Sequence, residues 1–250
     1  MNSRHLFDTE FDIVISFGEN CGAALHMRGA GLKTCAFPFD WITGVSFEQR
    51  LELIENSFQG FLEKENMCPI EAKRKFAHAA FKDTHTGFLF YHDFSLDIPF
   101  EKDFPEVKNK YNRRIARLYH KVEESPKVLF VWFGLNSTVS VQRLMEGRDR
   151  LARFFHKEVY LLALQNDKSA EEPQCEQCSP YLIRYIFDFK ATPDTDMMGE
   201  KKNFHAILSG VKLKGKWKNR LRKINNSIIC AFIPFKKLRV AARLSLREKG

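Results

Sequence analysis

DIVISFGENCGAALHMRGAGL, residues 12–32, joins an apolar stretch to a helix-like pattern through a short turn that ends in a cysteine. Residues 12–17 predict a first strand, and the segment after the turn predicts a short helix that Gly29 or Gly31 ends. Cys21 therefore lies where a strand turns into a helix, and such a turn points its groups at solvent rather than into a core. This position makes Cys21 the first candidate for chemistry.

The composition is that of a globular protein. The chain has 250 residues, of which 44% are hydrophobic and 13% aromatic, enough for a packed core. No segment reaches the roughly 18 to 20 continuous apolar residues of a membrane-spanning helix, and the first residues lack the apolar region of a secretion signal. The six cysteines are too sparse for a disulfide scaffold, which is typical of a reducing compartment. We therefore expect a cytoplasmic protein with free thiols.

The net charge of +9 is confined to one end of the chain. Residues 211–250 hold 13 lysines and arginines against the single acid Glu248, a charge of +12, so that residues 1–210 carry −3. The body therefore gives no reason to expect nucleic-acid binding. We predict two parts, an α/β catalytic-type domain over residues 1–210 and a basic amphipathic tail over residues 211–250.

The basic tail interleaves its cations with apolar residues, including the run Ile228–Phe235. That run is too short to span a bilayer but suits the headgroup region, where each basic residue contributes about 1 kcal/mol near an anionic leaflet. We therefore expect peripheral attachment to the inner membrane surface. A solvated extension is the alternative, and RNA binding is a weaker one because the tail has no recognisable RNA-reading motif.

Apolar patterns in the rest of the body predict alternating strands and helices. Further strands are predicted at residues 32–39, 87–94, 128–133, 158–164 and 181–189, helices at 46–61, 105–123 and 138–155, and loops at 166–180 and 192–202. The helix after Ser46 has the clearest pattern, because Ser46 and Gln49 form a capping box before apolar residues spaced three to four apart. The predicted fold class is α/β, a layered, mainly parallel sheet with flanking helices and right-handed crossovers.

The chemistry expected at Cys21 is nucleophilic. A thiol at the first turn of a helix meets unpaired backbone N–H groups and the positive end of the helix dipole, which lower its pKa from about 8.5. The N–H groups of Cys21 and Gly22 could also receive an oxyanion, in a turn that Gly18 permits and that includes Asn20. Glu19 would raise the pKa of the thiol unless its side chain is turned away or paired.

A nucleophilic thiol also needs a base and an orienting group. His92 lies in a stretch of alternating aromatic residues, which predicts a stiff strand and a dry pocket for its imidazole. Asp93 points to the opposite face of such a strand, so Asp40, directly after a predicted strand, is the better orienting carboxylate. Spacing alone leaves a structural explanation open, with Cys21 as a small core residue and His92 as a core histidine.

Three motifs together resemble a known family: ISFGENCGAALHMRGAGLKTCAFPFDWI, the later FYHDF, and KYNRRIARL before an apolar strand. They are similar to the bacterial family of unknown function numbered 1796, described as papain-like cysteine peptidases, over roughly residues 11–165. The resemblance singles out Cys21, Asp40, Trp41 and His92. It implies hydrolysis or transfer of an acyl group at a thiol, and no cofactor is expected.

Other functions stay open. The Gly-x-Asn-Cys turn is also similar to that of capsular-polysaccharide biosynthesis proteins thought to act as acetyltransferases, which would make the substrate an acyl or glycan group of bacterial surface-polysaccharide assembly. A sugar-nucleotide-dependent glycosyltransferase of capsule or lipopolysaccharide biosynthesis is the alternative, with Asp40 or Asp93 as base and Cys21 structural. A non-catalytic membrane-associated binding module is the third.

Two further segments carry polar groups that bind ligands in other proteins. Cys175 and Cys178 have the spacing of half a zinc site, but a second pair of ligands is lacking and no metal is expected. The loop Gly134–Thr138 follows a buried strand and precedes a helix, so its N–H groups and hydroxyls could hold a phosphate or a carboxylate, but a plain helix N-cap is the favoured interpretation. Candidate substrate-binding residues are Trp41, Asp93 and Asn136.

Overall fold

The computed structural model describes residues 6–71, 78–190 and 201–215. Within these ranges the chain forms a five-stranded sheet, a four-stranded sheet and a short two-stranded ladder, with helices packed against them. The strands are β1 (Glu10–Phe11), β2 (Ile13–Ser16), β3 (Ile42–Thr43), β4 (Met67–Pro69), β5 (Ala79–Asp83), β6 (Leu89–Phe94), β7 (Lys127–Gly134), β8 (Glu158–Asn166), β9 (Gln174–Ser179), β10 (Leu182–Phe187) and β11 (Lys212–Leu213). The helices are α1 (Gly22–Gly29), α2 (Phe47–Glu55), α3 (Phe100–Glu123), α4 (Val141–Phe155) and α5 (Lys201–Ser209).

The five-stranded sheet, called the main sheet below, has the strand order β2-β7-β8-β10-β9. Its first four strands are parallel, and β9 pairs antiparallel with β10 at the edge. Strands β7 and β8 are almost entirely buried because helices or loops cover both faces. The predicted parallel strand-helix-strand unit is confirmed, and the fold is layered α/β.

Alternate residues of the main sheet enter two separate cores. On one face, Ile13 and Ile15 pack with α2, α3, α4 and the four-stranded sheet. On the other face, Val14 packs with α1 and α5. Because α1 follows β2 directly, Cys21 lies at the edge of the main sheet where its parallel strands end.

The four-stranded sheet, called the small sheet, is antiparallel with the order β3-β6-β5-β4. Its aromatic residues Phe81, Phe90 and Phe94 enter the same core as Ile13. The predicted strand at residues 87–94 is confirmed as β6. The small sheet therefore carries His92, on a different sheet from the strand that precedes Cys21.

The strand predicted at residues 32–39 is wrong. This segment is irregular and ends in a 3-10 turn at Pro38–Asp40. The Asp40 side chain accepts a hydrogen bond from the Phe37 N–H at 2.7 Å and pairs with Lys33. The segment thus satisfies its polar groups internally instead of in a sheet.

Several predicted boundaries are also wrong. Helix α2 ends at Glu55 because Ser57 and Phe58 adopt left-handed φ values of 57° and 60°. Helix α3 begins at Phe100, and α4 begins at Val141, where the Ser140 side chain accepts from a backbone N–H and caps the helix. Residues 166–180, predicted as a loop, include β9, because it pairs antiparallel with the next strand.

The predicted tail lies largely outside the described residues, which end at Gly215. At its start, β11 pairs in parallel with β1, and Val211 and Leu213 are buried. The loop predicted at residues 192–202 is also mostly outside the described residues, although Lys201 begins α5. Of the helices in the described ranges, none is long and apolar enough to cross a membrane.

Candidate functional site

The Cys21 turn, residues 18–22, connects β2 to α1. Cys21 is half-buried and directly precedes the first helical residue, Gly22. The Gly22 N–H donates to the Asn20 side-chain oxygen at 2.8 Å, which fixes the turn just before the helix begins. The predicted strand-turn-cysteine-helix order is therefore confirmed, and the oxyanion role of the Gly22 N–H stays a prediction.

Gly18 lets the turn approach the neighbouring strand. A Cβ at this position would lie 2.7 Å from the Phe133 Cβ and 2.8 Å from the Ala23 Cβ, both shorter than real Cβ contacts. Neither atom is the flexible end of a side chain, so a larger residue would push α1 away from β7. Gly18 therefore permits this close approach because it has no side chain.

Glu19 is paired, as the expected chemistry of Cys21 requires. Glu19 is 6% exposed, and its carboxylate accepts from the N–H groups of Leu135 and Asn136, both at 2.7 Å, and from the Ser137 hydroxyl. All three donors belong to the loop Gly134–Thr138, for which anion binding was the less favoured alternative to a plain helix N-cap. In this structure the carboxylate held by the loop is that of Glu19.

Arg50 lies behind Glu19 in the core and is fully buried. Its guanidinium is 5.3 Å from the ring centre of Phe39 and 4.9 Å from that of Phe88, and Nη2 donates to the Gly44 carbonyl at 2.7 Å. Burial lowers the pKa of Arg50 to about 9, and the nearby Glu19 carboxylate opposes that shift. Within the described residues, its Nε and Nη1 atoms have no hydrogen-bond partner.

His92 lies where the β5–β6 ladder is irregular. Ala79 faces Phe94 and Phe81 faces Phe90, so two steps along β5 correspond to four along β6. Irregularities of this β-bulge kind re-aim side chains and are frequent beside functional sites. Phe90 and Phe94 are buried while His92 is half-buried, so His92 is more exposed to solvent than the aromatic residues on either side of it.

Trp41 connects His92 to the helix that follows Cys21. The His92 ring centre is 5.8 Å from that of Trp41, edge to face, and 6.4 Å from that of His78. The guanidinium of Arg28, on α1, lies 5.2 Å from the Trp41 ring centre. Trp41 therefore contacts both the helix that follows Cys21 and the strand that carries the predicted base.

Asp40, the residue directly before Trp41, is fully buried. One carboxylate oxygen, Oδ2, binds the Phe37 N–H and Lys33, and within the described residues Oδ1 has no hydrogen-bond partner. Burial lowers the pKa of Lys33, and the charge of Asp40 opposes this. The role of Asp40 in orienting His92 stays a prediction.

The other predicted substrate-binding residues lie in different surroundings. Asp93 faces α3, where Oδ1 lies 2.8 Å from Lys110 Nζ and Oδ2 accepts from the Tyr111 hydroxyl at 2.9 Å. Burial and the Asp93 charge raise the pKa of Tyr111. Asn136 is exposed in the loop that holds Glu19. Substrate binding by Trp41, Asp93 and Asn136 stays a prediction.

Cys175 and Cys178 lie on the edge strand β9. Three residue steps along an extended strand span about 10 Å, beyond the roughly 4.4–6.8 Å between the Cα atoms of a disulfide. Both are free thiols in this conformation. Over residues 6–71, 78–190 and 201–215, no group of three or more His, Cys, Asp or Glu side chains is placed to hold a metal ion.

The sequence interpretation missed Arg50 and Lys33. Arg50 had a signal: it stands three residues after Phe47 and directly before Leu51, on the apolar face of a helix, where a charge needs an explanation. Lys33 had no such signal in the sequence, because its segment was interpreted as a strand and its partner Asp40 lies seven residues further along the chain.

The comparison with protein families matches residues 12–146 to the family described as "Putative papain-like cysteine peptidase (DUF1796)". The match covers more than half of the chain and includes Cys21, Asp40 and His92. The chain belongs to this family. No curated protein and no solved structure matched it in two further comparisons.

In this member of the family, the cysteine follows a parallel strand and the histidine lies on an antiparallel one. The cysteine turn is held by hydrogen bonds to the neighbouring loop, whereas the histidine lies in an irregular, half-buried strand. The arrangement supplies a thiol at the start of a helix and an imidazole beside an indole ring. These are groups that thiol-dependent acyl chemistry uses.

Proposed function

We propose that this chain is a thiol-dependent acyl hydrolase or acyltransferase in which Cys21 is the nucleophile and His92 the general base. The position of Cys21 carries the proposal. It is half-buried at the end of a parallel strand and directly precedes α1, where backbone N–H groups and the helix dipole favour a thiolate. The family match supports the same chemistry.

In the proposed reaction His92 accepts the proton of the Cys21 thiol, and the thiolate forms a bond to the carbonyl carbon of the substrate. The resulting oxyanion is stabilised by N–H groups at the start of α1, where the Gly22 N–H exchanges its hydrogen bond to Asn20 for one to the oxyanion. Collapse re-forms the carbonyl and breaks the bond to the leaving group, which takes the proton from His92. Water then attacks the thioester, with His92 again accepting a proton, and this step releases the acid and restores the thiol.

An alcohol or amine in place of water would make the second step an acyl transfer. Asp40 is assigned to orienting His92 and Trp41 to contacting the substrate. Trp41 supports this assignment through its position between the Cys21 helix and His92. A surface-polysaccharide substrate stays a prediction, as do the glycosyltransferase and binding-module alternatives.

The direct test is alkylation by iodoacetamide at several pH values, followed by peptide mass spectrometry that resolves each cysteine. We expect Cys21 to react about tenfold faster than the exposed Cys68 near neutral pH, because only an activated thiol is ionised there. The advantage should disappear in His92→Ala and in the larger replacement His92→Gln.

His120→Ala is the matched control, because His120 is an exposed histidine on α3. It should leave the Cys21 rate unchanged. Equal alkylation of Cys21 and Cys68 in the wild-type protein would contradict the proposal. So would a Cys21 advantage that survives both His92 variants.

Membrane contact by the tail is a separate proposal, supported by the charge of +12 over residues 211–250. Because β11 pairs with β1, the deletion should begin after Gly215. We expect the full chain, but not the chain ending at Gly215, to sediment with vesicles containing anionic lipid. Undiminished sedimentation of the shortened chain would contradict the proposal.

A further inference from the structure

The two groups of the proposed reaction lie on different sheets, and Glu19 makes hydrogen bonds toward both. Cys21 follows β2 of the main sheet, whereas His92 lies on β6 of the small sheet. We propose that Glu19 is a positioning residue that fixes Cys21 relative to His92. This inference rests on the function proposed above.

The Glu19 side chain ties the Cys21 turn to the main sheet. Its carboxylate accepts three hydrogen bonds from the loop after β7, and its own N–H donates to the Phe133 carbonyl at 2.9 Å. Strand β7 is an inner strand of the main sheet. The turn that carries Cys21 is therefore attached, two residues from the thiol, to an almost entirely buried strand.

The Glu19 backbone ties the same turn to the small sheet. Its carbonyl accepts from the Gly44 N–H at 3.0 Å. Gly44 directly follows β3, in which Ile42 faces Phe90 of β6. His92 is two residues beyond Phe90, so a short path of backbone hydrogen bonds leads from Glu19 to the strand of the base.

Arg50 strengthens this junction. It donates to the Gly44 carbonyl at 2.7 Å, so Gly44 is held by Glu19 through its N–H and by Arg50 through its C=O. The charge of Glu19 also favours the charged form of this buried guanidinium. Removing the Glu19 carboxylate would leave two backbone N–H groups and the Ser137 hydroxyl without their acceptor, and would remove a charge that favours the Arg50 cation. We expect this loss to displace the turn or the loop.

The test measures how strongly the Cys21 alkylation rate depends on His92 in different backgrounds. In the otherwise wild-type protein, His92→Ala should slow alkylation about tenfold near neutral pH. In the Glu19→Ala background we expect the same His92 substitution to change the rate less than about twofold, because the thiol and imidazole no longer have a fixed separation. Glu19→Gln keeps an acceptor for the two N–H groups and should restore most of the dependence.

Asp83→Ala is the matched control. Asp83 is another fully buried carboxylate with three hydrogen bonds, to the N–H groups of Leu62, His85 and Thr86. Its loss should lower the urea midpoint of unfolding, as the loss of Glu19 does, yet leave the His92 dependence about tenfold. This separates positioning from general destabilisation.

The outcomes are distinct. A wild-type protein without His92 dependence overturns the proposed function, and with it the pair that Glu19 is inferred to position. If Cys21 alkylation depends on His92 in the wild-type protein and depends on it equally in Glu19→Ala, the inference about Glu19 is overturned while the proposed function stands. The inference is also overturned if Asp83→Ala loses the His92 dependence as fully as Glu19→Ala does. Should Glu19→Ala not fold, Ser137→Ala removes one donor to Glu19 and should lower the His92 dependence, so an unchanged dependence in Ser137→Ala contradicts the inference.

Discussion

Glu19 and Asp83 are both buried carboxylates that accept three hydrogen bonds at a turn, yet they join very different parts of the chain. The donors to Asp83 lie 2, 3 and 21 residues away, and the two nearest close the hairpin between β5 and β6 of the small sheet. The donors to Glu19 lie 116 to 118 residues away, in the loop after β7. The hydrogen bonds of Asp83 are therefore mostly local, whereas those of Glu19 join segments that are distant in the sequence.

The difference follows from the sheets themselves. An antiparallel pair can be joined by a short turn, whereas the ends of adjacent parallel strands belong to separate loops. A side chain such as Glu19 is therefore needed to hold two such loops together. We infer that the main sheet supplies the rigid frame for the cysteine, and that the small sheet carries the histidine on a more irregular support.

The largest expected effect is on the free energy of unfolding, when a buried phenylalanine of each sheet is replaced by alanine. Phe130→Ala, on β7 and fully buried, should lower the free energy of unfolding by about 3–5 kcal/mol. Phe81→Ala, on β5 and 8% exposed, should lower it by roughly half as much, because a site nearer the surface can relax. Urea unfolding of both variants checks this. Equal losses would contradict the view that the main sheet is the more rigid frame.

A smaller effect should arise at the Cys21 turn. Gly18→Ala forces a Cβ against Phe133 and Ala23, which we expect to lower the free energy of unfolding by about 1–3 kcal/mol and to slow Cys21 alkylation. Gly29→Ala is the control, since its Cβ would meet nothing within 4 Å and alanine favours helices by up to about 1 kcal/mol. Unchanged Cys21 alkylation in Gly18→Ala would show that the thiol does not depend on this close approach.

The smallest effect concerns a hydrogen bond between helices that pack on the small-sheet side. The Tyr119 hydroxyl on α3 donates to the Ile54 carbonyl of α2 at 2.7 Å, and burial raises the pKa of Tyr119 to about 12. Because the unfolded chain ionises first, near pH 10, the stabilisation is present below pH 10 and is lost as the pH rises toward 12. Tyr119→Phe should therefore flatten the decrease in stability over this range, measured by urea unfolding. A decrease as steep as in the wild-type protein would contradict it.

Much of the fold could be predicted because its signals are local. The apolar runs at β7 and β8, the capping box at Ser46 and the strand-turn-helix at Cys21 each depend on neighbouring residues. The segment at residues 32–39 could not be predicted, because its form depends on Lys33 meeting Asp40 in the core. The sequence suggested anion binding at Gly134–Thr138 only as the weaker alternative to an N-cap, because the carboxylate that binds there lies more than a hundred residues away.

The candidate site was predictable only as a set of residue types. A cysteine after a strand and a histidine among aromatic residues are visible in the sequence. The contacts that hold these two residues in place are not visible in the sequence, because the irregular β5–β6 register and the Glu19–Gly44 hydrogen bond arise from long-range packing. Arg50 shows the same limit, since its burial depends on Phe39 and Phe88 from other segments.

The central claim, that Cys21 forms an acyl intermediate with the help of His92, is tested most directly with 4-nitrophenyl acetate. Peptide mass spectrometry after brief exposure near neutral pH should find the acetyl group on Cys21, with release of one equivalent of nitrophenolate. Cys21→Ala should abolish this release and His92→Ala should slow it. Acetylation spread over lysines and exposed cysteines such as Cys68, with Cys21 no more modified than they are, would contradict the account.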